Sequence, residues 1–489
     1  MVRRITTFLL ITALQGSLTA SAGLASEPLR IGIAEKDITP PDGFPIAGYY
    51  HERLATGTRD PLKAKAVVIR DGQQQAAFVV ADLTAISRDL CVEVRRQATA
   101  KTGIPTQSIA VAATHSHTAP DYSRHLYDFL GGNTAADGSR PYAAKLIDGI
   151  VTAIAEAHAN AQPALVEAGT AQQQVPVSFN RRFVMKDGSV RTWQKLDNPE
   201  VVRAAGPIDP EVGLLLFRSA DERLPLGVIS NFALHLDTVG GLQWSGDYPY
   251  FIEQALRKKL GERVISVFGN GACGDINHCD PSRKERNKTE FIGTALADSI
   301  ESALPRLRAV ENPVFQVRTA TVDLPLQEVT DQQLERALQL IPLAKSGQKV
   351  DFFDLVSAYK AVILDQLRNQ PARVASQDYI SWGLSRTWAG VGASLPAEVM
   401  TMTFGSDVAL VFLPGEPFVE LGLSIKRGSP YRTTLVIELT NCVETVYIPT
   451  RGAYAGGSYE VTNSNLQPGS GEMLVETALR LLRESASSR

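Results

Sequence analysis

Seven histidines occur in the 489 residues, and three of them sit where a metal ion could use them. His115 and His117 form a His-x-His at the C-terminal end of an apolar run, Ser108 to Thr114, that reads as a strand. Side chains two apart on a strand face the same way, so both imidazoles would address one point. His235 follows a second strand-like run, Leu226 to Phe232. Three imidazoles at strand ends suit a catalytic zinc ion, which typically takes three protein ligands and keeps one position open. A His-x-His alone is more often structural, and spacing does not decide between the two.

Glu416 lies in Leu413-Pro-Gly-Glu-Pro417, directly after the strand-like run Val408 to Leu413. The prolines and glycine make this a rigid turn, and its carboxylate is either a metal ligand or a solvent-facing turn acid. The loop Gly269-Asn-Gly-Ala-Cys-Gly-Asp275 also follows a strand. Its glycines would let backbone N–H groups, and Asn270, approach an oxyanion or a phosphate. Equally, it could be a tight turn stapled by Cys273 and Cys279. It lacks the Lys-Ser/Thr of a Walker loop. Cys91 and Cys442 complete the four cysteines, whose spacing is not that of a cysteine zinc site.

Alternating strands and helices must carry these residues. Leu29 to Ile33 is β-rich, and Ala64 to Ile69 turns at Asp71-Gly72 into Ala76 to Val80 as a hairpin. Helical periods cover Ser87 to Thr102, Tyr142 to Asn160, Tyr248 to Leu260, Glu290 to Leu307 and Gly471 to Ser485. Further strands are expected at Val212 to Phe217, Val264 to Phe268 and Thr433 to Leu439. Thr330 to Asn369 is polar and helical in period, a helical insertion, expected as a pair of helices beside the substrate entrance. The pattern predicts one large mixed α/β body of β-sheet layers flanked by helices, with the site at clustered strand ends.

The order of motifs along the chain resembles the catalytic domain of the neutral, non-lysosomal ceramidases. The stretches that carry the likeness are Ile31-Gly-Ile-Ala-Glu-Lys-Asp-Ile-Thr-Pro-Pro41, Ala47-Gly-Tyr49, Thr56-Gly-Thr-Arg-Asp-Pro61 and Ala112-Ala-Thr-His-Ser-His-Thr118. They continue with Asn180-Arg181, Ser245-Gly-Asp-Tyr-Pro249, Gly274-Asp275, Pro414-Gly-Glu416 and the run from Tyr447 to Glu460. The resemblance implies a zinc ion held by His115, His235, Glu416 and Tyr447. It implies that His117 hydrogen-bonds the reacting groups and that Arg181 and Tyr459 line the site. A phenolate ligand is uncommon, but a dication lowers the phenol pKa. The family carries a serine two residues after its Gly-Asp, and here that position is Asn277, whose amide is not a nucleophile. The chain also ends where the family's C-terminal immunoglobulin-like domain would begin, so residues 27–489 are expected to form one ceramidase-like domain.

Composition sets the remaining bounds. A net charge of −3 and 44% hydrophobic residues suit a globular protein and give no reason to expect nucleic acid as a partner. Arg3 and Arg4 precede the apolar Ile5 to Leu18, and Ala20-Ser21-Ala22 follows, the layout of a signal peptide over residues 1–26. The apolar stretch is shorter than the roughly 20 residues of a membrane span. The expectation is a secreted or periplasmic zinc-dependent hydrolase that cleaves the amide of a small lipid-like substrate through an activated water. It has no integral span and at most transient contact with a membrane surface. In it His117 exchanges protons, and Tyr459, Arg181, Asn277 and the glycine-loop amides stabilise the oxyanion. The alternatives are a zinc- and lipid-binding protein without turnover, or a hydrolase of another amide or an ester.

Overall fold

Period-two alternation along the strands decides how the layers stack. The computed structural model describes residues 28–72, 74–131, 141–373 and 386–487; the leader expected over residues 1–26 lies outside them. The first part of the chain forms strands β1 (Arg30–Asp37), β2 (Lys63–Asp71) and β3 (Gln74–Ala81), helix α1 (Arg88–Thr102), β4 (Ile109–Ala113) and α2 (Tyr142–Ala159). It continues with β5 (Gln162–Gln172), β6 (Glu211–Ser219), β7 (Pro225–Phe232), α3 (Tyr248–Leu260), β8 (Ile265–Asn270) and α4 (Thr289–Ala303). These strands make a nine-stranded mixed sheet in the order β8-β7-β6-β5-β1-β2-β3-β4, with the short strand Arg308–Ala309 paired to β5. On β3, Ala77, Val79 and Ala81 share a core with α1 and α2, whereas Ala76, Phe78 and Val80 join the core on the opposite face.

That opposite face meets a second sheet. It is built from β9 (Phe315–Pro325), then, after the helices α5 (Asp331–Lys345) and α6 (Phe352–Arg368), β10 (Ser394–Phe404) and β11 (Val408–Phe412). Helix α7 (Val419–Gly428) leads to β12 (Thr433–Ile437), and α8 (Ser470–Ser487) follows. Met400, Met402, Phe404 and Phe412 pack with Phe78, Phe217 and Val67 between the sheets, while Val411, Ile425, Leu474 and Leu482 bury the outer face under α7 and α8. The order of layers is therefore helices, sheet, sheet, helices, the layered α/β architecture that the alternating runs predict.

Local signals act as expected in several places. The 64–80 hairpin pairs Asp71 with Gln74. The Ser87 side chain accepts from Leu90 N at the start of α1, and Gly103 ends it in the left-handed region. Thr330 and Gln333 form a reciprocal capping box at the start of α5. The insertion is indeed two helices, packed through Leu334, Ala337 and Ile341 against Ala358 and Val362. The long strands β5, β9 and β10 are not evident from the sequence, because alanine, glycine and half-exposed polar residues dilute their alternation. The suggested Cys273–Cys279 staple does not form: all four cysteines are free thiols. Among the described residues no helix is long and apolar enough to cross a membrane.

Gly32 on β1 lies so close to α2 that a Cβ there would stand 1.7 Å from the Ala157 carbonyl oxygen. Gly32→Ala is expected to push strand and helix apart and cost about 1–3 kcal/mol of stability. Equilibrium urea unfolding measures this, and an unchanged midpoint would mean the contact yields freely.

Candidate metal centre

Loops leaving the C-terminal ends of β4, β7, β8, β11 and β12 are laced together by backbone hydrogen bonds. Ala113 N donates to Leu439 O, Gly271 N to Phe232 O, Glu438 N to Asn270 O, and Gly415 N to Cys442 O. His115 and His117 lie beyond β4 in one of these loops, not on the strand itself. Their convergence comes from a left-handed residue at His115 (φ 78°), not from strand alternation. Gly48 makes room for the second ring: a Cβ there would sit 2.8 Å from His117 Nδ1.

One ring nitrogen from each of His115, His117 and His235 falls within 4.8 Å of the other two. His115 Nδ1 donates to Thr84 O at 2.8 Å and His235 Nδ1 to Cys273 O at 3.0 Å. Both Nε2 atoms are thereby left with a lone pair, and both face the same carboxylate oxygen. Glu416 Oε2 lies 3.3 Å from His115 Nε2 and 3.4 Å from His235 Nε2. Glu416 is only 5% exposed, so it is no solvent-facing turn acid. Its Oε2, His115 Nε2 and both ring nitrogens of His117 are buried with no hydrogen-bond partner. Two imidazole nitrogens and a carboxylate oxygen converging at one buried point, two of the three without a hydrogen-bond partner, fit a divalent cation.

Tyr447 reaches this point through sheet register. The two-residue strands Glu416–Pro417 and Tyr447–Ile448 run parallel, with Glu416 directly opposite Tyr447. Gly415 makes the approach possible: at φ 53°, a Cβ would lie 2.0 Å from Thr445 Oγ1. Arg181 follows another short ribbon, Phe179–Asn180 against Ile276–Asn277. Its buried guanidinium donates to Glu460 at 2.7 Å, Gly274 O at 2.9 Å and the Tyr447 hydroxyl at 3.1 Å, with His235 Nε2 3.2 Å away.

Electrostatics separate the groups. Burial alone would raise the Glu416 carboxyl, but His115 and His235 hold it well below the usual range. Burial opposes a charge on His115, yet Glu416 lifts that imidazole to about 8. Burial lowers His117 to about 4, against the pull of Asp237, whose Oδ1 lies 3.9 Å from Nδ1. Burial and then Arg181 lower His235 to about 3. Burial, with Glu416 and Tyr459, lifts the Tyr447 phenol well above its usual value.

The glycine loop does something other than receive an oxyanion. Gly271 N, Cys273 N and Gly274 N are taken by Phe232 O, Glu438 and Pro417 O. Asn270 turns inward as well, donating to Glu438 at 3.1 Å. Neither Asn270 nor these amides face the cavity, so that assignment is corrected. The loop needs glycine because a Cβ on Gly274 would stand 2.4 Å from the Glu416 carbonyl oxygen. Glu438 staples the loop in place of a disulfide, binding both the backbone N and the thiol of Cys273.

Asn277 does line the cavity, its Oδ1 accepting from Cys279 N. The space measures about 670 Å³ and is walled by Tyr50, Trp193, Phe352 and Tyr459 beside the histidines. Phe352 and Tyr459 stack at 5.6 Å and Trp193 lies 5.0 Å from Tyr459, so α6 of the insertion forms part of the wall. A smaller compartment of about 60 Å³ lies behind, next to His115, Glu416, Tyr359 and Ile363. Sequence reasoning picks out neither Asp237 nor Glu460, although each stands beside a candidate: His-Leu-Asp237 and Tyr-Glu460.

Comparisons with known proteins point to one family and one fold. The family model for the N-terminal part of neutral/alkaline non-lysosomal ceramidases matches residues 29–277. A neutral ceramidase of Pseudomonas aeruginosa is 27% identical over 283 residues, covering 55% of this chain and 40% of that protein. A neutral ceramidase of Drosophila pseudoobscura pseudoobscura is 34% identical over 128 residues, 25% of this chain and 18% of that one. The chain thus spans less than half the length of these relatives. The crystal structure of the Pseudomonas aeruginosa neutral ceramidase superposes with a TM-score of 0.68 at 20% identity, covering 94% of this chain and 75% of that one. A ceramidase complexed with C2 gives 0.67 at 19% identity, covering 94% and 76%. With half of its length matched by the family model, the chain belongs to the neutral/alkaline non-lysosomal ceramidase family.

Proposed function

We propose that this protein is an exported zinc-dependent hydrolase that cleaves the amide of an N-acyl, ceramide-like lipid. The observation that carries the reading is the convergence of His115 Nε2, His235 Nε2 and Glu416 Oε2 on one buried point, where His115 Nε2 and Glu416 Oε2 have no hydrogen-bond partner. With the Tyr447 phenol opposite Glu416, they supply four ligand atoms of the kind zinc accepts. Bound zinc supplies Lewis acidity that polarises a carbonyl and acidifies water. Export rests on the basic, then apolar N-terminus.

The chain's own residues do the rest. His117 stays neutral at pH 7 because burial holds it near 4, so it can accept a proton. Its Nδ1 lies on the Asp237 side, which leaves Nε2 to take the proton of the attacking water and return it to the departing amine. Tyr459 and the amide of Asn277 offer donors to the charge that grows on the carbonyl oxygen. No serine is required, since water is the nucleophile. Arg181 orients Tyr447 and is itself held by Glu460, which is fully buried and also faces Arg182 at 3.4 Å. The aromatic wall excludes water and receives hydrocarbon. A second reading, a zinc- and lipid-binding protein without turnover, draws on Asn277 standing where the family resemblance implies serine.

Two experiments test the site. Native mass spectrometry should find one zinc per chain, lost in His115→Ala and Glu416→Ala but kept in His117→Gln, whose kcat on an N-acyl substrate should fall ~10²–10⁴-fold. Zinc lost with His117 would make it the third ligand; a metal-free native protein would remove the zinc mechanism; zinc without hydrolysis across N-acyl and O-acyl substrates would favour the second reading. Glu460→Ala strands two buried guanidinium groups and should cost about 3–5 kcal/mol in thermal or chemical unfolding. A loss below ~1 kcal/mol would mean that the backbone carbonyls around them suffice.

A further inference from the structure

The cavity in front of the histidines belongs to a net acidic chain, yet positive charge along its lining goes unmatched. Among the described residues that line it, Arg181, Arg286 and Lys349 are cationic and Asp237 is the one carboxylate. Arg181 is met by Glu460 at 2.7 Å. Asp237 is engaged too: it accepts from Tyr49 and stands 3.9 Å from His117. Arg286 and Lys349 have neither a hydrogen bond nor an ion pair among the described residues. Elsewhere, exposed arginines commonly find a carboxylate: Arg283 meets Asp280, Arg336 meets Asp354, and Arg373 meets Asp331 and Asp365.

The two free cations come from separate elements. Arg286 lies in the segment ahead of α4, and Lys349 in the connection between α5 and α6. Both are exposed, so neither pays a desolvation cost while waiting for a partner. The same cavity presents Tyr50, Trp193, Phe352 and Tyr459 to hydrocarbon. An uncharged headgroup leaves both cations unused. An acidic group, close to the scissile amide and attached to an apolar chain, satisfies both surfaces at once. Unmatched cations at a cavity mouth also raise the encounter rate of an anion.

We propose that the substrate is an N-acyl compound bearing an acidic group, a carboxylate or a phosphate, which Arg286 and Lys349 receive while its hydrocarbon lies against the aromatic wall. This rests on the hydrolase reading and narrows its substrate class.

The test uses the zinc-loaded full chain and ligands of one acyl length: N-lauroylglycine, its uncharged glycinamide, and N-lauroylethanolamine phosphate. Calorimetry should show at least one acid binding about tenfold tighter than the glycinamide at ~50 mM salt, with the gap shrinking at ~0.5 M. The stronger of the two acids identifies the group. The double variant Arg286→Glu, Lys349→Glu should erase or invert the gap. Equal binding in the native protein overturns the proposal. So does a gap that survives charge reversal, since the metal would then be holding the acid. Turnover of the same ligands is read separately. Selective binding without hydrolysis keeps this inference and removes the hydrolase, whereas hydrolysis without selectivity does the reverse.

Discussion

A carboxylate buried between two imidazoles governs the centre of this protein. Glu416 Oε2 faces His115 Nε2 and His235 Nε2 at hydrogen-bonding range, but both rings have already spent their other nitrogen on a carbonyl. Electron-rich atoms held this closely in a buried site need a cation, either a proton on His115 or a metal ion. Glu416 itself drives that demand, since it keeps its charge despite burial and lifts His115 to about 8.

Holding such an arrangement is the work of the surrounding loops. Each residue of the candidate metal centre leaves the end of a strand or sits in a two-residue ribbon, so its position is inherited from a sheet and not from a free loop. Where two such segments cross, one is glycine: Gly274 under Glu416, Gly415 against Thr445, Gly48 behind His117. Buried carboxylates act as ties. Glu438 holds the glycine loop, Asp275 joins Asn180 to the start of α7, and Glu460 fixes Arg181. The helical insertion closes the other side, packing through Tyr359 and Phe352 onto Tyr50 and bringing Phe352 to Tyr459.

The legible part of the site was the part carried by rare residue types at strand ends. His115, His117, His235 and Glu416 stand out because histidine is scarce here and because a Pro-Gly-Glu turn marks a strand's exit. Tyr447 has no such signal; one tyrosine among 13 became a candidate only through family likeness. Asn270 shows the opposite failure. A glycine-rich loop after a strand looks alike whether its amides face a ligand or a neighbouring strand, and here Glu438, 168 residues away in sequence, takes the asparagine.

The sequence by itself determined the main helices and the shorter apolar strands, the helical pair inserted before the last strands, and most residues of the candidate metal centre. Those features depend on local periodicity, capping and turn chemistry, which act over a few residues. Tertiary structure decided that β11 and β12 pack as a second sheet, that His115 turns through a left-handed backbone, and that Tyr447 lies opposite Glu416. It also decided that Arg286 and Lys349 share a cavity with neither paired to a carboxylate among the described residues. These outcomes depend on register and on contacts between segments tens to hundreds of residues apart, where no local preference reaches.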